Sequence, residues 1–395
     1  MFGCLKGIRI LALEQYIACP FATQMLGDLG AEIIKIERKE AGDQTRYTPP
    51  FYKNKSIYFE NYNRNKLGIT LDTSKEKGKE LFLNLVEKSD IVISNLKIKS
   101  LEKLGLNYKI LKKSNKKIIV LFISGFGFKS KYENRPAYNP IIEAISGYMS
   151  INGDLNSPPV RSGIPIADHF GALHAVIALL IALFERQKTG KGQFIDISLL
   201  DCLASQMEWR LLEYAITGHA SPRTGNKRPT SAPCNVYKTK DGFVYIAIGN
   251  LALWFKLGEK IKGYSYAHDP IFTDNMNRVK LQDKIDMEIE NWTSKRTTTE
   301  VLDELTSAGI PVGEVNTIKS FCEDSIIKER NIFINVVDPE IGSVPVMGPP
   351  IKMGRGYKKN HFGPPKMGQD NKYVFETLLK LSESEIDELK KENII

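Results

Sequence analysis

The sequence predicts an α/β protein: a large domain on a Rossmann-like parallel sheet, followed by a smaller α+β domain. Three observations carry this. Short β runs alternate with helical stretches over the first third of the chain, the pattern of βαβ units. At 395 residues the chain exceeds what one hydrophobic core usually fills, so two domains are expected. A polar stretch rich in Gly and Pro, 217–233, then separates the alternating part from a hairpin-and-helix part.

Taken in order, Ile8–Leu13 reads as a strand, and Phe21–Leu29 as a helix with Pro20 before it and Gly30 as its C-cap. Glu32–Glu37 is a second strand, Lys75–Lys88 an amphipathic helix, and Asp90–Ser94 and Lys117–Ser124 further strands. Asp168–Arg186 is apolar all round, the pattern of a buried helix, and it stops at Gln187-Lys-Thr-Gly-Lys-Gly-Gln193. Phe194–Ser198 reads as a strand and Leu199–Tyr214 as a helix. Past the linker, Cys234–Tyr237 and Phe243–Ile248 pair around Asp241-Gly242, with helices near 251–262, 279–292 and 298–307 and a strand near Pro311–Val315. The expected division is 1–216 large domain, 217–233 linker, 234–320 small domain, and 321–395 a C-terminal segment returning to the large domain. That last segment carries the Pro/Gly-rich stretches Val344–Pro350 and Phe362–Gly368 and a charged terminal helix.

Composition is that of an ordinary globular protein, 42% hydrophobic and 26% charged. The net charge of +9 is spread over the chain, with no basic stretch interleaved with aromatics, so nucleic acid is not expected as a partner. A small polyanionic ligand suits the charge. Five widely spaced cysteines show no Cys-x-x-Cys or Cys/His spacing, which argues against a disulfide framework or a metal site and for a reducing, cytoplasmic setting. The N-terminus, Met1-Phe-Gly-Cys-Leu-Lys-Gly-Ile-Arg9, places charge where a secretory leader would be apolar. The longest apolar run, Phe170–Phe184, is shorter than the ~20 residues a bilayer span needs, so no membrane segment is expected.

Neither a G-x-G-x-x-G turn nor a Walker A loop occurs, so no phosphate-binding glycine loop announces the ligand. In an open parallel sheet ligands bind beyond the carboxyl ends of the strands, which here are Tyr16–Ala18, Arg38, Asn95–Lys97 and Gly125–Phe128. Arg38 and Lys97 are cations suited to phosphate groups, although on position alone a solvated surface charge is the commoner role. Asp168 sits at or near the N-cap of the apolar helix, where the orphan amides and the dipole favour a carboxylate. It could serve as nucleophile or base, though a plain capping Asp is commoner there.

The succession of short segments resembles family III CoA transferases, the group that holds formyl-CoA and carnitine CoA transferases. The segments begin with Ile10-Leu-Ala-Leu-Glu-Gln-Tyr-Ile-Ala-Cys-Pro20 and Leu26-Gly-Asp-Leu-Gly-Ala-Glu-Ile-Ile-Lys-Ile-Glu-Arg38. Asn63-Arg-Asn-Lys66, Leu104-Gly-Leu106, Ser124-Gly-Phe-Gly127, Arg135-Pro-Ala-Tyr138 and Ser146-Gly147 follow. The most specific stretch is Asp168-x-x-Gly171 leading to Glu185-Arg186-x-x-Thr189-Gly190-Lys-Gly192-Gln193. Gly309-Ile-Pro-Val-Gly313, Gly348-Pro-Pro-Ile351 and Pro364-Pro365 complete a likeness that spans nearly the whole chain.

The resemblance implies a CoA transferase that moves CoA from an acyl-CoA to a small carboxylic acid through an aspartyl-CoA thioester. Asp168 would be the catalytic residue. Coenzyme A would be a substrate, with no permanently bound cofactor and no metal. It further implies CoA contacts at Ile17, Ala18, Arg38, Leu71, Asp72, Thr73, Ser74, Asn95, Leu96, Lys97, Lys103, Ala137, Tyr138 and Asn139. Gly249 and Asn250 would lie at the oxyanion, and two interlocked subunits would form a homodimer. Several of these residues are the strand-end positions reached independently above. The stretch Ala247-Ile-Gly-Asn250 has one glycine where formyl-CoA transferases carry a glycine-rich run, and Leu13-Glu14-Gln15 resembles members acting on C4–C5 dicarboxylates. Both point away from an oxalate/formate pair. Lys97 and Lys103 keep the charge of the arginines common in relatives without their bidentate fork. The alternatives are the related α-methylacyl-CoA racemases, which need a His that Ala137-Tyr138-Asn139 lacks, and a CoA-binding protein without catalysis.

Overall fold

A computed structural model describes residues 3–338, 340–355 and 361–395. Met1 and Phe2 of the N-terminal reading therefore lie outside the described residues. The chain divides into two compact units. One comprises 1–148, 162–211 and 328–395, the other 149–161 and 212–327.

The first unit is built on six parallel strands: β1 (Arg9–Leu13), β2 (Glu32–Glu37), β3 (Lys66–Thr70), β4 (Ile91–Ser94), β5 (Ile119–Ser124) and β6 (Phe194–Ser198). Their order across the sheet is β3-β2-β1-β4-β5-β6, the order of a doubly wound Rossmann sheet. The register pairs Leu11 with Ile34 on one side and with Val92 on the other. Side-chain alternation sorts the strand residues onto two buried faces. Ile10, Ala12, Ile33, Ile93 and Leu121 face the helices α1 (Ala18–Asp28) and, later in the chain, Ile166–Thr189. Leu11, Leu13, Ile34, Val92 and Phe122 face the other core, with residues of Glu76–Glu87 and the C-terminal Ile386, Leu389 and Ile394. Edge strand β3 is covered by the chain near its end: Gly68 N–H donates to Asp370 at 2.7 Å and Thr70 N–H to Asn371 at 2.9 Å.

Three further helices matter for the site: α2 (Ile57–Tyr62), α3 (Glu76–Glu87) and α4 (Asn139–Ile145), with α5 (Ile166–Thr189) following. Helix α5 differs from the sequence reading in three ways. It begins at Ile166 with Pro165 as N-cap, so Asp168 is in its first turn rather than capping it. At 24 residues it is longer than the apolar run Phe170–Phe184 read from the sequence, and by length and composition only it is long and apolar enough to cross a membrane. It is also not buried all round. Ala167, Gly171, Ala172, Ala175, Leu179 and Ala182 pack inward, whereas Leu173, Ile177, Ile181 and Phe184 are exposed. Small residues on the inner face let α5 approach closely; a Cβ on Gly171 would come within 2.4 Å of Leu199 Cδ2. The single helix expected over Leu199–Tyr214 is two, Leu199–Ala204 and Arg210–Thr217, and Glu208 between them has φ 52°.

The second unit holds the antiparallel strands β7 (Cys234–Lys238), β8 (Phe243–Ala247) and β9 (Val312–Glu314), ordered β9-β8-β7. The hairpin forms where Asp241-Gly242 marks it, with Thr239 N–H bonded to Gly242 O at 3.0 Å. Helices α6 (Leu251–Lys262), α7 (Gln282–Thr293) and α8 (Thr298–Ser307) pack on it around Trp254, Ile285, Ile289, Val301 and Leu305.

Candidate active site

In the order β3-β2-β1-β4-β5-β6 the winding reverses between β1 and β4, and ligands of such sheets bind at that switch point. The loops leaving the two strands are tied together there. Gln15 N–H donates to Asn95 Oδ1 at 3.0 Å, and Asn95 Nδ2 donates back to Gln15 O at 2.7 Å. Tyr16 has φ 62°, a left-handed conformation costly for a side chain with a Cβ, and its N–H is held by Asp43 at 3.2 Å. Asp43 is itself buried and paired with the fully buried Lys35 at 2.7 Å. The turn then enters α1, with Ile17 as N-cap and Ala18 as its first residue, both buried.

The remaining residues expected to contact CoA follow strands β2, β3, β4 and β5 in the chain. Arg38 follows β2 and is exposed; Leu71 to Ser74 follow β3; Asn95 to Lys97 follow β4. Asp72 stays ionised below its usual range: burial raises it, but hydrogen bonds from Ser74 and the charges of Arg38 and Lys75 outweigh that. Lys97 N-caps the short helix Ile98–Lys103, whose last residue is Lys103; both lysines are exposed. Ala137 lies so close to Gly125 that a Cβ there would meet it at 2.4 Å. Tyr138 N-caps α4 and packs edge-on against Tyr16 at 5.5 Å, while Asn139 is buried. Gly249 and Asn250 belong to the other compact unit. Gly249 has open space where a Cβ would be, and Asn250 caps α6 through Leu253 N–H.

Asp168 is half-buried in the first turn of α5. The turn is fixed from α4: Asn139 Oδ1 accepts the N–H of Ala167 at 2.8 Å, and Asn139 Nδ2 donates to the buried Glu143 at 2.5 Å. The helix dipole favours an ionised carboxylate here by about 0.3–1 kcal/mol. Burial, with the like charge of Glu143 second, acts the other way and dominates, raising the Asp168 carboxyl to about 7. None of the ion pairs among the described residues involves Asp168.

Three residues that the sequence reading did not single out surround it. Tyr58 and Tyr62 come from α2, a helix absent from that reading, and Asp168 acts on both; burial together with Tyr62 and Asp168 pushes the Tyr58 hydroxyl up to about 12. Tyr62 Oη shares a hydrogen bond with His169 Nε2 at 3.1 Å, and Phe21 packs against both rings. Burial lowers His169, so it is neutral at pH 7. The Tyr58-x-x-x-Tyr62 spacing was the available signal, since positions i and i+4 share one helix face. The arrangement is thus a carboxylate of raised basicity beside hydroxyls that stay protonated, with exposed cations following strands β2 and β4.

The chain matches CoA-transferase family III over residues 5–371. It is 32% identical over 393 residues to the succinyl-CoA–D-citramalate CoA-transferase of Chloroflexus aurantiacus, covering 99% of this chain and 98% of that one. It is 33% identical over 370 residues to the acetyl-CoA:oxalate CoA-transferase of Acetobacter aceti, covering 93% and 94%. Among solved structures, a CAIB/BAIF family protein from Brucella suis superposes with a TM-score of 0.85 at 33% identity, over 96% of this chain and all of that one. With a Rossmann-ordered sheet, an end-to-end match and relatives of this similarity, the chain belongs to CoA-transferase family III and is an enzyme that transfers coenzyme A.

Proposed function

We propose that the enzyme moves CoA from an acyl-CoA to a C4–C5 dicarboxylic acid through a covalent aspartyl-CoA thioester on Asp168. The observation that carries this is a carboxyl group in the first turn of α5, with no ion-pair partner among the described residues and with burial raising it above its ordinary value. A carboxylate of that basicity is a better nucleophile than an ordinary one, and about half of it is ionised at neutral pH. Its oxygen attacks the thioester carbonyl; the C–S bond breaks, leaving an anhydride and CoA thiolate. The thiolate attacks the aspartyl carbonyl, the anhydride C–O bond breaks, and the donor acid departs as carboxylate. The acceptor carboxylate then attacks the aspartyl thioester, and the same two steps run in reverse. Tyr58 and Tyr62, protonated throughout, supply hydrogen bonds to the oxyanions as charge develops.

CoA lies in the switch-point groove, with Arg38 and Lys97 meeting its phosphates. D-citramalate, the named substrate of one relative, supports a C5 dicarboxylate acceptor. The assignment of Gly249 and Asn250 to the oxyanion rests on the family resemblance alone. The division into a CoA-binding domain over 1–216 with 321–395 and a small domain over 234–320 is part of the proposal, supported by the two compact units. So are a cytoplasmic setting and a reaction that uses no bound cofactor. A homodimer is supported by the apolar stripe Leu173, Ile177, Ile181 and Phe184 that α5 leaves uncovered in the single chain.

The test is intact-protein and peptide mass spectrometry after mixing the enzyme with succinyl-CoA, acetyl-CoA or mesaconyl-CoA without an acceptor. CoA is expected on the peptide holding Asp168 and is expected to leave when C4–C5 dicarboxylates are added, faster than with oxalate. An Asp168→Ala enzyme that still transfers CoA at more than about a hundredth of the parent rate would end the proposal.

A further inference from the structure

Glu143 is fully buried in α4, and its carboxylate is held by neutral donors only. Asn139 Nδ2 donates to Oε1 at 2.5 Å and the Ser162 N–H donates to Oε2 at 2.7 Å, while the Ser162 hydroxyl is shared between Oε1 at 2.8 Å and Ile164 O at 2.5 Å. No cation pairs with it among the described residues. A buried carboxylate on such terms is expensive, and a neutral amide of the same shape would avoid the cost. Two features of its placement connect it to the reacting group. Asn139 passes the hydrogen-bond chain on to Ala167 N–H at 2.8 Å, so the network ends on the residue before Asp168. Its negative charge also acts on Asp168 directly, after burial the second cause that disfavours the free carboxylate.

Among the described residues, the titratable groups on which Asp168 acts are Cys19 from α1 and Tyr58 and Tyr62 from α2, and His169 is beside it on α5. Burial holds the thiol and both hydroxyls protonated and His169 neutral at pH 7. The charge that acts on Asp168 is that of Glu143. When Asp168 becomes an acyl group its negative charge leaves with the departing donor carboxylate, and the repulsion from Glu143 is relieved.

We infer that Glu143 is a positioning residue that drives Asp168 toward its neutral, CoA-bearing state, fixing the first turn of α5 through Asn139 and repelling the free carboxylate. This rests on the covalent reading of Asp168, and it predicts a separation between charge and shape. Glu143→Gln keeps the size and most hydrogen bonds but removes the charge; Glu143→Asp keeps the charge on a shorter arm. The measurements are the fraction of enzyme carrying CoA after mixing with succinyl-CoA alone, and the pH profile of kcat/KM. E143Q is expected to lower the trapped fraction about tenfold and to move the acid limb about one pH unit lower, one unit being a factor of ten. E143D is expected to hold the parent limb. Asn139→Ala, which leaves the charge and cuts the link to Ala167, is expected to lower kcat with the limb in place. An E143Q enzyme with the parent's trapped fraction and limb overturns the inference. So does a parent acid limb near the ordinary carboxylate value of ~4, a result available even if E143Q does not fold. A parent that never carries CoA on Asp168 would instead overturn the covalent mechanism itself.

Discussion

Replacing Asp168 by Asn is expected to abolish transfer and, at alkaline pH, to make the protein more stable. Burial and Glu143 raise the carboxyl from 3.8 to about 7 in the folded state. Below pH ~4 the group is neutral in both folded and unfolded chains and costs nothing. As pH rises through the interval up to about 7, the unfolded chain ionises while the folded one resists. Above it the folded state carries a charge it disfavours. A shift of about three units corresponds to roughly 4 kcal/mol at most, and local water penetration and relaxation reduce this to an expected 1–3 kcal/mol. At about 2–4 °C per kcal/mol for a domain of this size, D168N is expected to melt several degrees higher than the parent at pH 8. At pH 4 it is expected to melt at about the same temperature. Thermal denaturation followed by circular dichroism at both pH values, on enzyme free of CoA, measures this. A first-turn Asp serving only the helix dipole predicts the reverse, a loss of about 0.3–1 kcal/mol at pH 8 that fades in acid. A lower melting temperature for D168N at pH 8, or a gain as large at pH 4 as at pH 8, would refute the electrostatic account.

Three other outcomes test the groove and the surface. Gly78→Ala places a Cβ 2.0 Å from the backbone oxygen of Asp72, so the 71–74 loop must move; a destabilisation of about 1–3 kcal/mol and a clear rise in KM for acyl-CoA are expected. Asn95→Ala severs both bonds to the Gln15 backbone at the switch point and is expected to weaken CoA binding by about 1–3 kcal/mol, read by titration calorimetry, with little change in fold. Ile181→Asp, at a residue 62% exposed in the single chain, is expected to break a dimer of twice 44.5 kDa into monomers by light scattering; a variant that stays monodisperse at the parent's mass shows that the partner sits elsewhere.

Much of the sheet was legible because its central strands are buried on both faces. Runs such as Ile119–Ser124 carry apolar residues without interruption, and Glu32–Glu37 and Phe194–Ser198 were bounded as the structure has them. Strand β3 was not, since Lys66-Leu-Gly-Ile-Thr70 opens with a lysine and contains a glycine. That glycine lets the C-terminal segment pass, as a Cβ there would come within 2.8 Å of Lys366 O and Pro365. A contact across some 300 residues leaves no local trace. Helix α5 shows the complementary limit: its sequence is apolar on every side, but which side meets the sheet depends on where Gly171 and the alanines fall.

The sequence by itself determined the fold class, and it pointed to the strand ends and to Asp168 as candidates for the site. These depend on periodicity and on residues next to one another in the chain. Only the tertiary structure decided the electrostatics. Lys35 and Lys66 look like solvent lysines in their strands, yet both are buried because Glu14 and Asp43 converge on them. Glu143 looks like the outer face of a short helix, yet Ser162 and Asn139 enclose it. Burial and the approach of a second charge are properties of three-dimensional neighbours, and they turn an ordinary first-turn aspartate into a carboxyl poised near neutrality.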